Sequence, residues 1–113
     1  ICQGRIYYDL CAYMQKINDL ETAIVRIEQL YPFPATDLKA ALPIVSRYIF
    51  VQEEPENAGA YIGLKDRIAE ILPSGKQLEF RCRKASATPA IGSHTIHDQE
   101  LHELLESIFK ELI

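Results

Sequence analysis

The chain has no tryptophan, a single methionine (Met14), and only three cysteines, Cys2, Cys11 and Cys82, with no Cys-x-x-Cys pair among them. An odd set of thiols at such spacings excludes a disulfide framework or a zinc ribbon and fits a reducing compartment. No apolar run approaches the roughly 18 residues that a membrane-spanning helix needs. The five glycines are dispersed, so neither glycine-rich loop that cradles phosphates is present. A Gly-x-Ser-x-Gly turn and a Cys/His pairing behind a strand are lacking too. Basic residues are outnumbered 12 to 16, and the net charge of −4 is the wrong sign for a nucleic-acid or anionic-membrane partner. The tyrosines are too scattered to form a stacking platform for bases. On its own residues the chain reads as a non-catalytic domain.

What is present is a regular alternation of apolar patterns. In 113 residues there is room for one domain with a real core. After the turn residue Gly4, an apolar stripe of Ile6, Leu10, Tyr13, Met14 and Ile17 has helical spacing. Ala23 to Glu28 reads as a strand buried on both faces. Thr36 is the expected N-cap of a short helix carrying Leu38, Ala41, Leu42 and Val45, which Pro43 should kink or shorten. Tyr48 to Gln52 is a second buried strand, and a helix carrying Tyr61, Leu64, Ile68, Ile71 and Leu72 stops at Pro73-Ser74-Gly75. Gln77 to Lys84 alternates with Leu78, Phe80 and Cys82 on one face, as an edge strand covered on one side would. In that position Cys82 is a small buried hydrophobe. Residues 84–97 form a loop, and a last helix is expected from near Asp98, capped by Thr95 or His97, with the stripe Leu101, Leu104, Leu105, Ile108 and Leu112. Strands alternating with helices in this way predict an α/β three-layer sandwich around a mostly parallel sheet. Ile1-Cys2 reads as the tail of a strand that starts upstream, so residues 1–113 are expected to be a single domain, a fragment of a longer chain with its first strand truncated.

Ligand and partner contacts gather at the carboxyl ends of strands in such sheets. Two proline-punctuated segments lie there: Glu28-Gln29-Leu30-Tyr31-Pro32-Phe33-Pro34 and Gln52-Glu53-Glu54-Pro55-Glu56-Asn57. Glu53 and Glu54 are adjacent, so their side chains leave a strand on opposite faces and cannot share a proton as a catalytic dyad does. They are expected to serve an interface, as is Tyr31. Arg26 lies within a buried strand and needs a partner, for which Glu28 is placed two residues on. Arg26 and Arg83 are also the candidates for an anion or effector contact. His94, His97 and His102 are expected to be ordinary loop and helix residues, since no Cys or carboxylate cluster completes a tetrahedral metal site with them. No catalytic residue and no metal site is expected.

Three stretches together resemble one family: Gly4-Arg5-Ile6-Tyr7-Tyr8-Asp9-Leu10, Ile24-Val25-Arg26-Ile27-Glu28-Gln29-Leu30-Tyr31-Pro32-Phe33-Pro34, and Gln52-Glu53-Glu54-Pro55-Glu56-Asn57-Ala58-Gly59-Ala60. They resemble the carboxyl-terminal domain of thiamine-diphosphate-dependent 2-oxoglutarate dehydrogenase, the decarboxylating component of its complex. Arg83-Lys84-Ala85-Ser86-Ala87-Thr88-Pro89-Ala90-Ile91-Gly92 is similar to its late loop. Lys84 stands where the family has proline and Ala58 where glutamine is expected, which weakens any contact role for Ala58. The resemblance implies a transketolase C-terminal-like fold and a parent enzyme that decarboxylates 2-oxoglutarate and succinylates lipoyl groups in the tricarboxylic acid cycle. It implies thiamine diphosphate and magnesium bound outside this chain, by preceding domains at a dimer interface. Implied partners are those domains, a second subunit and the dihydrolipoyl succinyltransferase core, with acetyl-CoA as an effector in some relatives. The compartment would be the cytoplasm of a bacterium or the mitochondrial matrix of a eukaryote. Alternatives are the same domain of another 2-oxoacid dehydrogenase or transketolase, or a free-standing small-ligand-binding module.

Overall fold

The computed structural model describes residues 1–83 and 94–110, with side chains described from 98 onward in the last helix. Four helices and two strands run in the order α1 (Ile6–Lys16), α2 (Ala35–Ala41), β1 (Tyr48–Gln52), α3 (Tyr61–Ile71), β2 (Leu78–Cys82) and α4 (His94–Lys110). β1 and β2 are parallel, with Tyr48 opposite Leu78 and Gln52 opposite Cys82. Ile1-Cys2 lies along the other side of β1 and bridges, again in parallel, both Val51 and Arg26. Across the sheet the order is therefore residues 23–27, residues 1–2, β1, β2, and every neighbour is parallel. The fold is α/β, as the alternation of patterns implied.

Each strand sends alternate side chains to opposite faces, and two separate cores result. Cys2 and Val51 pack with Ile6 and Leu10 of α1 and with Leu104, Leu105, Ile108 and Phe109 of α4. Ile27, Tyr48 and Phe50 pack instead with Leu38 of α2 and with Leu64, Ile68 and Leu72 around α3. Buried residues four apart on one helix, Ile6 and Leu10 or Leu64 and Ile68, form the stripe that pins it to the sheet.

Turn chemistry fixes where the helices begin and end. Gly4 at φ 83° swings the chain from the central strand into α1, a conformation open to glycine without a Cβ clash. Beyond α1, Asn18 is left-handed at φ 57°, and the Asp19 carboxylate accepts from the Glu21 and Thr22 amides and the Thr22 hydroxyl. That Thr22 bond holds the Asp19 pKa below its ordinary value. Leu42 is extended (ψ 123°) and ends α2 because the ring of Pro43 disfavours the helical region in the residue before it. Gly75 at φ 85° completes the turn that follows α3.

Several expectations are corrected. Thr36 lies inside α2, where Pro34 is the capping position and no side chain caps; Pro34 supplies the preset φ that starts the helix. Residues 23–28 form one bridge only, at Arg26, rather than a full strand. Of that segment Ile27 alone is fully buried and Ala23 is exposed, because it lies at the border of the described sheet. All five residues of β2 are half-buried, with no alternation, since its polar members Glu79 and Arg81 are drawn into ion pairs. Cys82 is accordingly half-buried rather than enclosed. α4 starts at His94, four residues before the expected Asp98, as no glycine or proline between 94 and 110 interrupts it. The expected loop from 84 to 93 and Leu112 fall outside the described residues.

Candidate functional site

The chain crosses from the central strand to one side of the sheet and returns past it to form β1, so the direction of winding reverses between Ile1-Cys2 and β1. At such a reversal the loops leaving the two strands part and open a crevice at the carboxyl edge. The loops here are Gln3-Gly4-Arg5 and Gln52-Glu53-Glu54-Pro55.

The second loop is organised by a residue that sequence reasoning passed over. Among the described residues Gln52 is the one buried polar side chain, at 3% exposure, and a buried amide must find partners within the protein. Its Nε2 donates to the carbonyls of Glu54 (3.0 Å) and Pro55 (2.8 Å), and its Oε1 accepts from the Tyr61 amide at 3.0 Å. One side chain thus closes the turn and caps the start of α3. Gly59 makes room for it: a Cβ there would lie 2.6 Å from Nε2 and closer still to Cδ and Oε1. The available signal was a lone polar residue ending an apolar strand, followed by a proline and a glycine.

The clamp presents Glu53 half-buried and Glu54 exposed. Arg83, just past β2, donates through Nε to the Glu53 carbonyl (3.2 Å) and stands 3.7 Å from Glu100 of α4. Glu53 and Arg83 are therefore brought together, through a backbone carbonyl. At the other, amino end of β1 and β2 the ion pair Arg47–Glu79 is a two-point contact at 2.8 and 2.6 Å. The Arg47 hydrogen bond holds the Glu79 carboxyl below its ordinary pKa of 4.5.

Arg26 lies on the other side of the reversal. Its guanidinium sits 5.4 Å from the Tyr7 ring centroid and 5.3 Å from that of Tyr8, close enough for cation–π attraction to both. It reaches the Tyr8 hydroxyl at 3.4 Å and Glu28 at 3.9 Å. Glu28 is 80% exposed, so that ion pair is weak. Arg26 Nε is buried with no hydrogen-bond partner. The expected Arg26–Glu28 pairing is present, yet the tyrosines are its closer company. A hydrogen bond with Cys11 and burial beside it raise the Tyr7 pKa, while burial raises those of Cys2 and Cys82, which keeps both thiols protonated and unreactive.

Tyr31 is 90% exposed, next to a cis peptide bond to Pro32, and Gln29 Nε2 donates to the Pro32 carbonyl at 3.0 Å. Leu30 and Tyr8 are exposed as well. His102 makes a 3.1 Å contact with Glu106 on the wet face of α4, beside a Glu106–Lys110 pair at 3.4 Å. The side chains of His94 and His97 are outside the described residues. Among the described residues no group of three His, Cys, Asp or Glu stands ready to hold a metal ion, and no helix is long and apolar enough to cross a membrane. What the arrangement offers chemically is a braced carboxyl edge carrying acidic and aromatic side chains outward, with one guanidinium against a pair of rings that also touch each other edge to face.

Comparison with known proteins adds the family. A family model described as 2-oxoglutarate dehydrogenase C-terminal matches residues 1–109. The chain is 40% identical over 109 residues to a 2-oxoglutarate dehydrogenase E1 component of Haemophilus influenzae, covering 94% of this chain and 12% of that protein. A protein of the same description from Cupriavidus necator is 36% identical over 115 residues, covering 99% of this chain and 12% of its own length. One from Bacillus subtilis is 34% identical over 110 residues, covering 93% and 12%. The chain thus spans about one-eighth of the length of these curated relatives.

Proposed function

The chain belongs to the 2-oxoglutarate dehydrogenase C-terminal family, and on that premise we propose that it is the carboxyl-terminal assembly and regulatory domain of such an enzyme. The parent chain oxidatively decarboxylates 2-oxoglutarate and passes the succinyl group to a lipoyl group of the dihydrolipoyl succinyltransferase core. The domain itself carries no catalytic residue. Its fold is a three-layer, transketolase C-terminal-like sandwich, a reading supported by the two cores, one built with α1 and α4 and the other with α2 and α3. The observation that carries the functional reading is the family match along residues 1–109.

The described residues do not fit thiamine diphosphate and its magnesium ion, because no carboxylate or histidine cluster stands together here. In this reading the cofactor belongs to preceding domains, and this domain's part is mechanical. Gln52 and Arg83 brace the loop after β1, so that Glu53 and Glu54 meet a neighbouring domain or a second subunit in one conformation. Preordering the loop removes part of the entropy cost of association. Tyr31, almost fully exposed, is an aromatic anchor of the kind that concentrates interface energy. Arg26, with Nε unpartnered and its rim open to solvent through Glu28, is the candidate for an anionic effector such as acetyl-CoA, and Arg83 borders the loop through which such binding would be felt. The compartment follows the parent enzyme: cytoplasm in a bacterium, mitochondrial matrix in a eukaryote.

The test is 2-oxoacid-dependent reduction of an artificial electron acceptor by the full-length protein with thiamine diphosphate and magnesium. Turnover with 2-oxoglutarate and none with pyruvate is the expected result. Turnover with pyruvate alone moves the parent to another 2-oxoacid dehydrogenase, and turnover with neither overturns the enzymatic reading.

A further inference from the structure

We draw no further inference here: the strongest candidate, the side-chain cluster at the border of the sheet in which the Arg26 guanidinium lies against the Tyr7 and Tyr8 rings with its Nε buried and unpartnered, belongs to the site already described, whose anionic ligand the proposed function already names.

Discussion

Replacing Gly59 by alanine is the sharpest perturbation of the carboxyl edge, because the new methyl would occupy the space of the Gln52 amide. A long side chain can usually swing away from such a clash at little cost. Gln52 cannot, since it is 3% exposed and its amide makes three hydrogen bonds, to Glu54, Pro55 and Tyr61. Each is worth about 0.5–1.5 kcal/mol net, and displacing the amide strands the Tyr61 N–H as well. The expected loss is about 2–3 kcal/mol of local stability, which is roughly a 30- to 150-fold acceleration of exchange at the Tyr61 amide. Exchange measured on the full-length protein reads this directly. Gly63→Ala is the control: it lies inside α3, nothing is within 4 Å of its added Cβ, and it should stabilise by about 0.5–1 kcal/mol. In a Gln52→Ala background the Gly59→Ala cost should vanish, the signature of two residues acting through one contact. Unchanged Tyr61 protection in Gly59→Ala, or full additivity of the two changes, refutes the clamp.

Glu79→Gln should cost about 1 kcal/mol or less, since the Arg47–Glu79 pair is only partly shielded from solvent. Because the folded carboxyl titrates below 4.5, its contribution is present above that pH and is lost as pH falls through the folded value. The difference between wild type and Glu79→Gln in β2 amide protection should therefore be constant from pH 7 to about 5 and shrink below 4.5; a difference that grows on acidification contradicts the pairing. Tyr61→Ala removes a ring stacked on Phe80 at 3.9 Å and tilted against Phe50 at 5.6 Å, and about 2–3 kcal/mol should be lost from α3 and β2 together, visible as raised exchange in both; a loss confined to α3 would count against the stack as the link. Glu53→Ala should weaken self-association of the full-length enzyme by roughly fivefold to tenfold, the scale of one interface charge, and an unchanged dissociation constant by sedimentation equilibrium removes Glu53 from the interface.

The helices were legible because each carries a stripe that one sheet face can accept. Ile6 with Leu10 and Leu64 with Ile68 are readable from spacing alone, and they are the buried residues of α1 and α3. The parallel sheet was legible for a related reason: apolar runs such as Tyr48–Val51 have no wet face to reveal. Burial of residues 23–28 was misread because an apolar run reads the same at the centre of a sheet and at the border of the described one, where these residues stand. Thr36 was misread as a cap because Pro34 starts the helix without one. At the candidate site the charged residues drew attention, yet the geometry is set by Gln52 and Gly59, whose importance lies in a contact between positions seven apart that no local pattern announces. Arg47–Glu79 and the contact of Arg26 with the Tyr7–Tyr8 pair are likewise long-range pairings, visible only once the strands are in register.

The two edges of the sheet differ in what they require of the rest of the protein. At the carboxyl edge the buried polar groups of the loop after β1 are satisfied internally: the Gln52 amide has its partners, and Arg83 takes the Glu53 carbonyl. A loop satisfied in this way keeps its shape without a partner, so a neighbour gains contact with Glu53, Glu54 and Tyr31 without having to order them. At the amino edge the balance is reversed. A cavity of about 210 Å³ and two almost fully exposed aliphatic side chains, Leu20 and Ile44, lie there, and burial of such apolar surface is worth roughly 25 cal/mol per Å² to whatever covers it. Substitution of Phe109, 2% exposed in the core beneath α4, should then act on stability, and substitution of Glu53 or Tyr31 on association.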